Sequence, residues 1–140
     1  MSNLIEKTLL IGFGIFTLTI FSSILIPFLG SLTKFNYIEK NKLESYMIII
    51  DEINHGIEYV VQNTDVIYLK KIEYPDNLNI TFYDHFAKYE FVIEGKICYK
   101  VIEYNEEFVK RKFYQIPPHA YLLNITRCSI LIKVNIINLN

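Results

Sequence analysis

The sequence predicts an α+β fold, in which a long N-terminal transmembrane and stem helix precedes a small antiparallel β-sandwich-like domain. Two observations predict this fold. No charged residue lies between Thr8 and Thr33, and short strand-like segments separated by turn residues begin at Val66. A length of 140 residues accommodates one domain with an anchor. The formal net charge of -1 argues against a nucleic-acid partner, which would require a basic face.

The first element is a membrane-spanning helix. We expect a short flank over 1–8, a transmembrane helix over 9–30, an amphipathic helix over 31–62 that extends the stem, and a β domain over 63–140. A helix from Leu9 to Gly30 would be about 33 Å long, and a bilayer core is about 30 Å thick. A signal peptide is the weaker interpretation, because its apolar region covers only about 7–15 residues. We therefore expect a single-pass protein in the cell membrane, with lipid as a partner.

Different features of the sequence favour opposite orientations of the span. Lys34, Lys40 and Lys42 follow the span and Lys7 precedes it. This count favours a cytoplasmic C-terminus by the positive-inside rule. The cysteines and glycosylation motifs described below favour the opposite orientation, and we expect the C-terminal domain to lie outside the cell.

The second element is the amphipathic helix. Apolar residues recur three and four positions apart, as an α-helix with one buried face requires. They are Leu43, Tyr46, Met47, Ile50, Ile53, Ile57, Val60 and Val61. We expect this stripe to pack on the domain that follows it.

The third element is the β domain. Its strand-like segments are rich in Tyr, Phe, Ile and Val and are separated by turn signals. They are 66–74, 78–84, 88–94, 96–104, 108–116, 121–125 and 129–137. Short strands at this spacing predict a small antiparallel sandwich or curled sheet of about 75 residues.

No motif in the sequence indicates catalysis. His55, His85 and His119 are isolated and lack the spacing of metal ligands. Nucleophile-elbow, phosphate-loop, dinucleotide-binding and CxxC motifs are absent from the sequence. We expect a protein that is not an enzyme, has no cofactor or metal, and offers no identifiable small-molecule substrate.

Two pairs of residues would carry modifications in an oxidising or external compartment. Cys98 and Cys128 lie on predicted strands. If those strands were neighbours, a disulfide would close a loop of about 30 residues and stabilise the domain by about 3–4 kcal/mol. Two unpaired buried thiols are the equally weighted alternative. Asn79 and Asn124 each begin an N-x-[ST] sequon, a candidate site for N-glycosylation.

The N-terminus carries a resemblance to a known family. Ser2-Asn3-Leu4-Ile5-Glu6, followed directly by a long apolar helix, resembles the start of a mature type IV pilin. Glu6 would be the fifth residue if Met1 were removed. The later layout, in which the segment Ile72–Ile80 enters a β domain, is similar to archaeal pilin-type and archaellum-accessory proteins.

The resemblance implies a structural subunit. Glu6 would meet the N-terminal amine of a neighbouring subunit during assembly, and stem helices would pack against one another. The implied function is that of a membrane-anchored subunit of a cell-surface filament or secretion-type assembly, with other pilin-like subunits as partners. We expect either an upstream start or no processing, since no leader precedes the motif in this sequence.

Two alternatives stay open. Asn3 as N-cap with Glu6 three residues later would form a start similar to a capping box, which needs no assembly role. The chain would then be a single-pass membrane protein whose β domain is sensory or bridges a complex, unrelated to filaments.

Overall fold

The computed structural model describes residues 2–139 and confirms the α+β class. Helix α1 runs over Ser2–Gln62 and contains Pro27. By length and composition this helix is long and apolar enough to cross a membrane. The chain divides into two compact units, the first ending at Lys40 and the second beginning at Asn41. The second unit therefore contains the last part of α1 together with all of the described strands.

Two sheets follow the helix. The described strands are β1 Ile67–Glu73, β2 Asn79–Phe82, β3 Phe86–Ile93, β4 Lys96–Glu103, β5 Glu107–Phe108, β6 Arg111–Phe113, β7 Ala120–Cys128 and β8 Leu131–Asn138. Sheet A has the order β1-β7-β8-β5 and sheet B the order β4-β3-β2-β6. The neighbours pair antiparallel except for β5 and β8, which are parallel. The prediction of a purely antiparallel domain is therefore wrong.

The single strand predicted over 108–116 is also wrong, because this segment is divided between the sheets. Phe108 lies in β5 of sheet A and Phe113 in β6 of sheet B, and both are buried. Side chains of a continuous strand alternate between its faces, so two residues five positions apart would point to opposite sides. The interruption at Val109 and Lys110 allows both rings to reach the core.

The stripe on α1 packs into the same core as the strands, as the spacing predicts. Ile50, Ile53 and Val60 are fully buried. The ring of Tyr46 stacks on Phe91 of sheet B, with 4.9 Å between their centroids. One member differs from the prediction, since Leu43 is exposed, and Ile49, which lies outside the predicted stripe, is buried as well.

Aromatic rings connect the two sheets within this core. Phe82 of sheet B lies 5.4 Å from Phe108 of sheet A, and Phe108 also meets Tyr104 edge-on at 5.0 Å. Large rings bury much apolar area for each residue, and such pairs add about 0.5–1.5 kcal/mol beyond that burial. These contacts explain how about a hundred residues enclose a core that includes one helix and both sheets.

Gly56 marks the closest approach of α1 to sheet A. A Cβ atom at this position would lie 2.7 Å from Cδ1 of Ile125 and 2.7 Å from Cδ1 of Tyr68. The helix therefore needs a residue without a side chain where it crosses β1 and β7. Glycine has a low helix propensity, but at this position its lack of a side chain permits the close packing of the helix on the sheet.

Candidate functional site

The first candidate site is an apolar surface on the N-terminal part of α1, here called the apolar segment, Leu4–Leu32. Its large side chains are exposed around the whole helix: Phe13 at 69%, Ile24 at 67% and Phe16 at 62%. A helix that is apolar on every side requires an apolar environment on every side. Lipid or another apolar surface would supply that environment.

Most hydroxyl groups in the apolar segment are paired within the helix. The Oγ1 atoms of Thr8, Thr17 and Thr19 each donate to the carbonyl four residues earlier, at 2.8–2.9 Å. Ser23 Oγ donates in the same manner to the carbonyl of Ile20 at 2.7 Å. In hydrocarbon an unpaired hydroxyl is unfavourable by several kcal/mol. These side chains are therefore compatible with lipid despite being polar.

Glu6 lies on this surface and its side chain is exposed. Glu6 and Lys7 are the charged residues that precede the uncharged run in the sequence. The capping-box alternative is not supported, because α1 already includes Asn3 and its first turn holds no acidic residue. The Glu6 carboxylate is therefore exposed beside Lys7, at the start of the apolar segment of α1.

The three histidines are not brought together. His55 lies on α1 with its ring 6.0 Å from that of Tyr68, and Nδ1 of His85 lies 3.2 Å from the carbonyl oxygen of Glu106. The backbone carbonyl of His119 accepts a hydrogen bond from Tyr74 at 2.9 Å. Over residues 2–139 no group of three His, Cys, Asp or Glu side chains is placed to hold a metal ion.

Buried tyrosines are the titratable groups most strongly altered by the domain. Burial, together with the hydrogen bond to Glu52 and its charge, raises the pKa of Tyr68 to about 12. Burial also raises the pKa of Tyr104 to about 12 and those of Tyr74 and Tyr89 well above the ordinary value. Their hydroxyls stay protonated at neutral pH, so these residues act as packing groups.

The cysteines are free thiols in the structure. Cys98 is half-buried on β4 of sheet B, and Cys128 is exposed at the end of β7 of sheet A. Their strands are not neighbours, so the condition for the candidate disulfide is not met. Of the two interpretations given above, the structure shows unpaired thiols, of which one is exposed.

The two sequon asparagines lie within strands. Asn79 opens β2, and its Oδ1 accepts the backbone N–H of Gln115 at 3.1 Å while its Nδ2 donates to Glu90 at 3.4 Å. Asn124 lies in the middle of β7 between β1 and β8, half-buried and with its Oδ1 shielded from solvent. In the folded domain neither amide is presented on a loop, where glycan acceptors usually lie.

A second candidate site, which the sequence analysis did not identify, is a groove at one end of sheet B. It has a volume of about 410 Å³, within the range of about 300–1,000 Å³ typical of ligand sites. Val92, Ile97 and Pro117 supply apolar lining, and Asn79, Glu90 and Gln115 supply polar groups. The alternation of exposed apolar residues in β4 was a signal for it, because Ile97, Tyr99 and Val101 share one face.

No protein-family model matches the chain, and neither a curated protein nor a solved structure matches it.

Proposed function

We propose that the chain is a pilin-like subunit of a cell-surface filament or secretion-type assembly, anchored in the cell membrane by a single span and structural in its action. The observation that carries this proposal is the exposure of the whole apolar segment directly behind Glu6. Van der Waals packing between stems would hold the subunits together, since lipid gives helices no hydrophobic drive to associate. Glu6 would set the register by pairing with an amine of a neighbour.

The β domain would lie outside the cell and contact other envelope components. Sheets A and B would form the two layers of a sandwich around their shared core, as the contact between Phe82 and Phe108 supports. Burial of the stripe on α1 in this domain leaves the apolar segment as the surface available for assembly.

The decisive test replaces Glu6. In the cells that produce the protein, Glu6→Ala and Glu6→Gln should abolish incorporation into filaments or membrane oligomers, because both remove the negative charge. Membrane insertion, measured by resistance to alkaline extraction, should be unchanged. Glu44→Ala is the matched control, since Glu44 is an exposed acidic residue of the same helix. Normal assembly of both Glu6 variants would refute the mechanism.

Two observations favour the second candidate function, a cytoplasmic bridging or sensory domain on a single-pass anchor. Free thiols at Cys98 and Cys128 are typical of a reducing compartment, and the lysines after the span favour a cytoplasmic C-terminus. Protease treatment of intact cells carrying a C-terminal tag separates the two functions. Cleavage of the tag supports the external pilin-like subunit, and protection until the membrane is broken supports the cytoplasmic domain.

A further inference from the structure

We propose that the outer face of sheet B binds a saccharide. This outer face is formed by the side chains of Asn79, Lys88, Glu90, Val92, Ile97 and Tyr99, which point away from the buried residues of the same strands. At one end it continues into the groove of about 410 Å³, whose wall includes Tyr114.

The first argument is the pair of tyrosines at this site. Tyr99 is 56% exposed and Tyr114 is 54% exposed, and each ring has a lysine ammonium beside it. Lys88 Nζ lies 4.1 Å from the ring centroid of Tyr99, and Lys112 Nζ lies 4.9 Å from that of Tyr114. A tyrosine has only two side-chain torsion angles, so its ring loses little conformational entropy on binding. Exposed, oriented aromatic rings provide flat surfaces on which the apolar faces of sugar rings can stack.

The second argument is the polar row beside the tyrosines. Glu90 is directly opposite Tyr99 in the register of β3 and β4, so both side chains share one face. Glu90 is 3.6 Å from Lys88 Nζ and accepts from Asn79 at 3.4 Å. These contacts orient a carboxylate, an ammonium and an amide next to an apolar groove. Acceptors and donors placed side by side in this way match the alternating hydroxyls of a sugar.

The third argument is charge balance. The site contains the carboxylates of Asp76 and Glu90 and the ammonium groups of Lys88 and Lys112. A nucleic acid would require a predominantly basic face, and a strongly cationic ligand a predominantly acidic one. A neutral, hydroxyl-rich ligand complements a surface on which charges of both signs are interleaved.

The loop that closes the groove is attached to the polar row. The backbone N–H of Gln115 donates to Asn79 Oδ1 at 3.1 Å, and Gln115 has a φ of 51°. That backbone conformation is uncommon for residues other than glycine. Asn79 thus connects β3, through Glu90, to the segment that carries Tyr114, and it positions both walls of the groove.

The test uses the full chain in phosphatidylcholine nanodiscs, because alkyl-glycoside detergents would compete for the site. The probes are chitotriose, cellotriose and mannotriose, titrated while amide chemical shifts and tyrosine fluorescence are recorded. We expect saturable binding of at least one trisaccharide, with shifts centred on β3, β4 and the segment 114–117. Absence of saturable binding to all three probes would overturn the proposal.

Variants then assign the binding to this face. Tyr99→Ala and Tyr114→Ala should each weaken binding about tenfold or more, as truncation of a central aromatic anchor does. Tyr99→Phe should retain most of the affinity because the ring is kept. Tyr59→Ala is the matched control, since Tyr59 is an exposed tyrosine next to Tyr68 of sheet A. Equal affinities of Tyr99→Ala and Tyr59→Ala, in proteins with unchanged melting curves, would overturn the assignment.

A second copy of the chain is the other occupant that this face could take. If Tyr99→Ala altered the sedimentation of the protein without altering trisaccharide binding, the face would be an interface between copies and the saccharide proposal would be refuted. Saccharide binding does not require stem assembly. Its failure would therefore leave the Glu6 test of the proposed function unaffected, and failure of the Glu6 test would leave saccharide binding intact.

Discussion

The two parts of helix α1 have similar residues and opposite burial. Ile15 in the apolar segment is 63% exposed, whereas Ile53 in the second unit is fully buried. The difference does not come from hydrophobicity, which is high in both parts, but from the pattern of the residues. Charged residues such as Asp51 and Glu58 alternate with the apolar stripe after residue 40, whereas no charge interrupts residues 8–33. A patterned helix buries one face in its own chain, and an unpatterned one needs surroundings that the chain does not provide.

Alkaline pH should produce the largest difference in stability between these two regions. The eleven tyrosines of the sequence all follow residue 36, so the apolar segment contains none. Burial raises the pKa of Tyr104 to about 12 and that of Tyr89 well above its ordinary value. In the unfolded chain these groups ionise near pH 10. The free energy of unfolding should therefore be constant below about pH 10 and fall as the pH rises from 10 through about 12.

Circular dichroism of the full chain in micelles can measure this loss. The near-ultraviolet signal of the domain should disappear between about pH 10 and 12, while the helical signal of the apolar segment persists. Simultaneous loss of both signals would show that the two regions are not independent in this respect. Tyr104→Phe should shift the transition to higher pH, because one of the ionising groups is removed.

The second prediction applies one substitution to both regions. Ile53→Ala should lower the free energy of unfolding of the domain by about 2–5 kcal/mol, since it leaves a cavity in a fully packed core. Ile15→Ala, the matched control, should change that value by less than about 0.5 kcal/mol. Denaturant titration of the full chain, followed by tyrosine fluorescence, gives both numbers. Similar losses in the two variants would contradict the difference in burial.

The third prediction, with the smallest effect, concerns two glycines of the same helix. Gly56→Ala should destabilise the domain by about 1–2 kcal/mol, because the new Cβ would lie 2.7 Å from Ile125 and Tyr68 side-chain atoms. A Cβ at Gly30 would meet nothing within 4 Å, so Gly30→Ala should have no such effect. Thermal unfolding of the two variants provides the comparison. A stabilised Gly56→Ala protein would show that the neighbouring side chains move aside without loss.

Much of this architecture could be predicted from local pattern. The helix ends at Gln62, where the periodicity changes from helical to strand-like, and most predicted strands lie within a few residues of observed ones. The division of 108–116 could not be predicted, since its apolar residues suit one strand until the positions of both sheets are known. The parallel pairing of β5 with β8 depends on the same tertiary placement.

The two candidate sites also differ in how far the sequence could predict them. Glu6 and the apolar segment are contiguous in the sequence, so a linear motif was sufficient to propose them. The groove combines Asn79, Glu90 and Tyr114 from separate parts of the chain. Their proximity follows from the pairing of β2 with both β3 and β6, which no spacing in the sequence encodes.

The position of β1 has a consequence for biosynthesis. Among the described strands, β1 is at the edge of sheet A and pairs with β7, whose residues Ala120–Cys128 are made after those of β2 to β6. During synthesis β1 therefore stays without its partner strand until β7 has been made. Exposed strands of this kind pair readily with other chains. The interval between the synthesis of β1 and that of β7 is thus the stage at which this protein would most depend on chaperones.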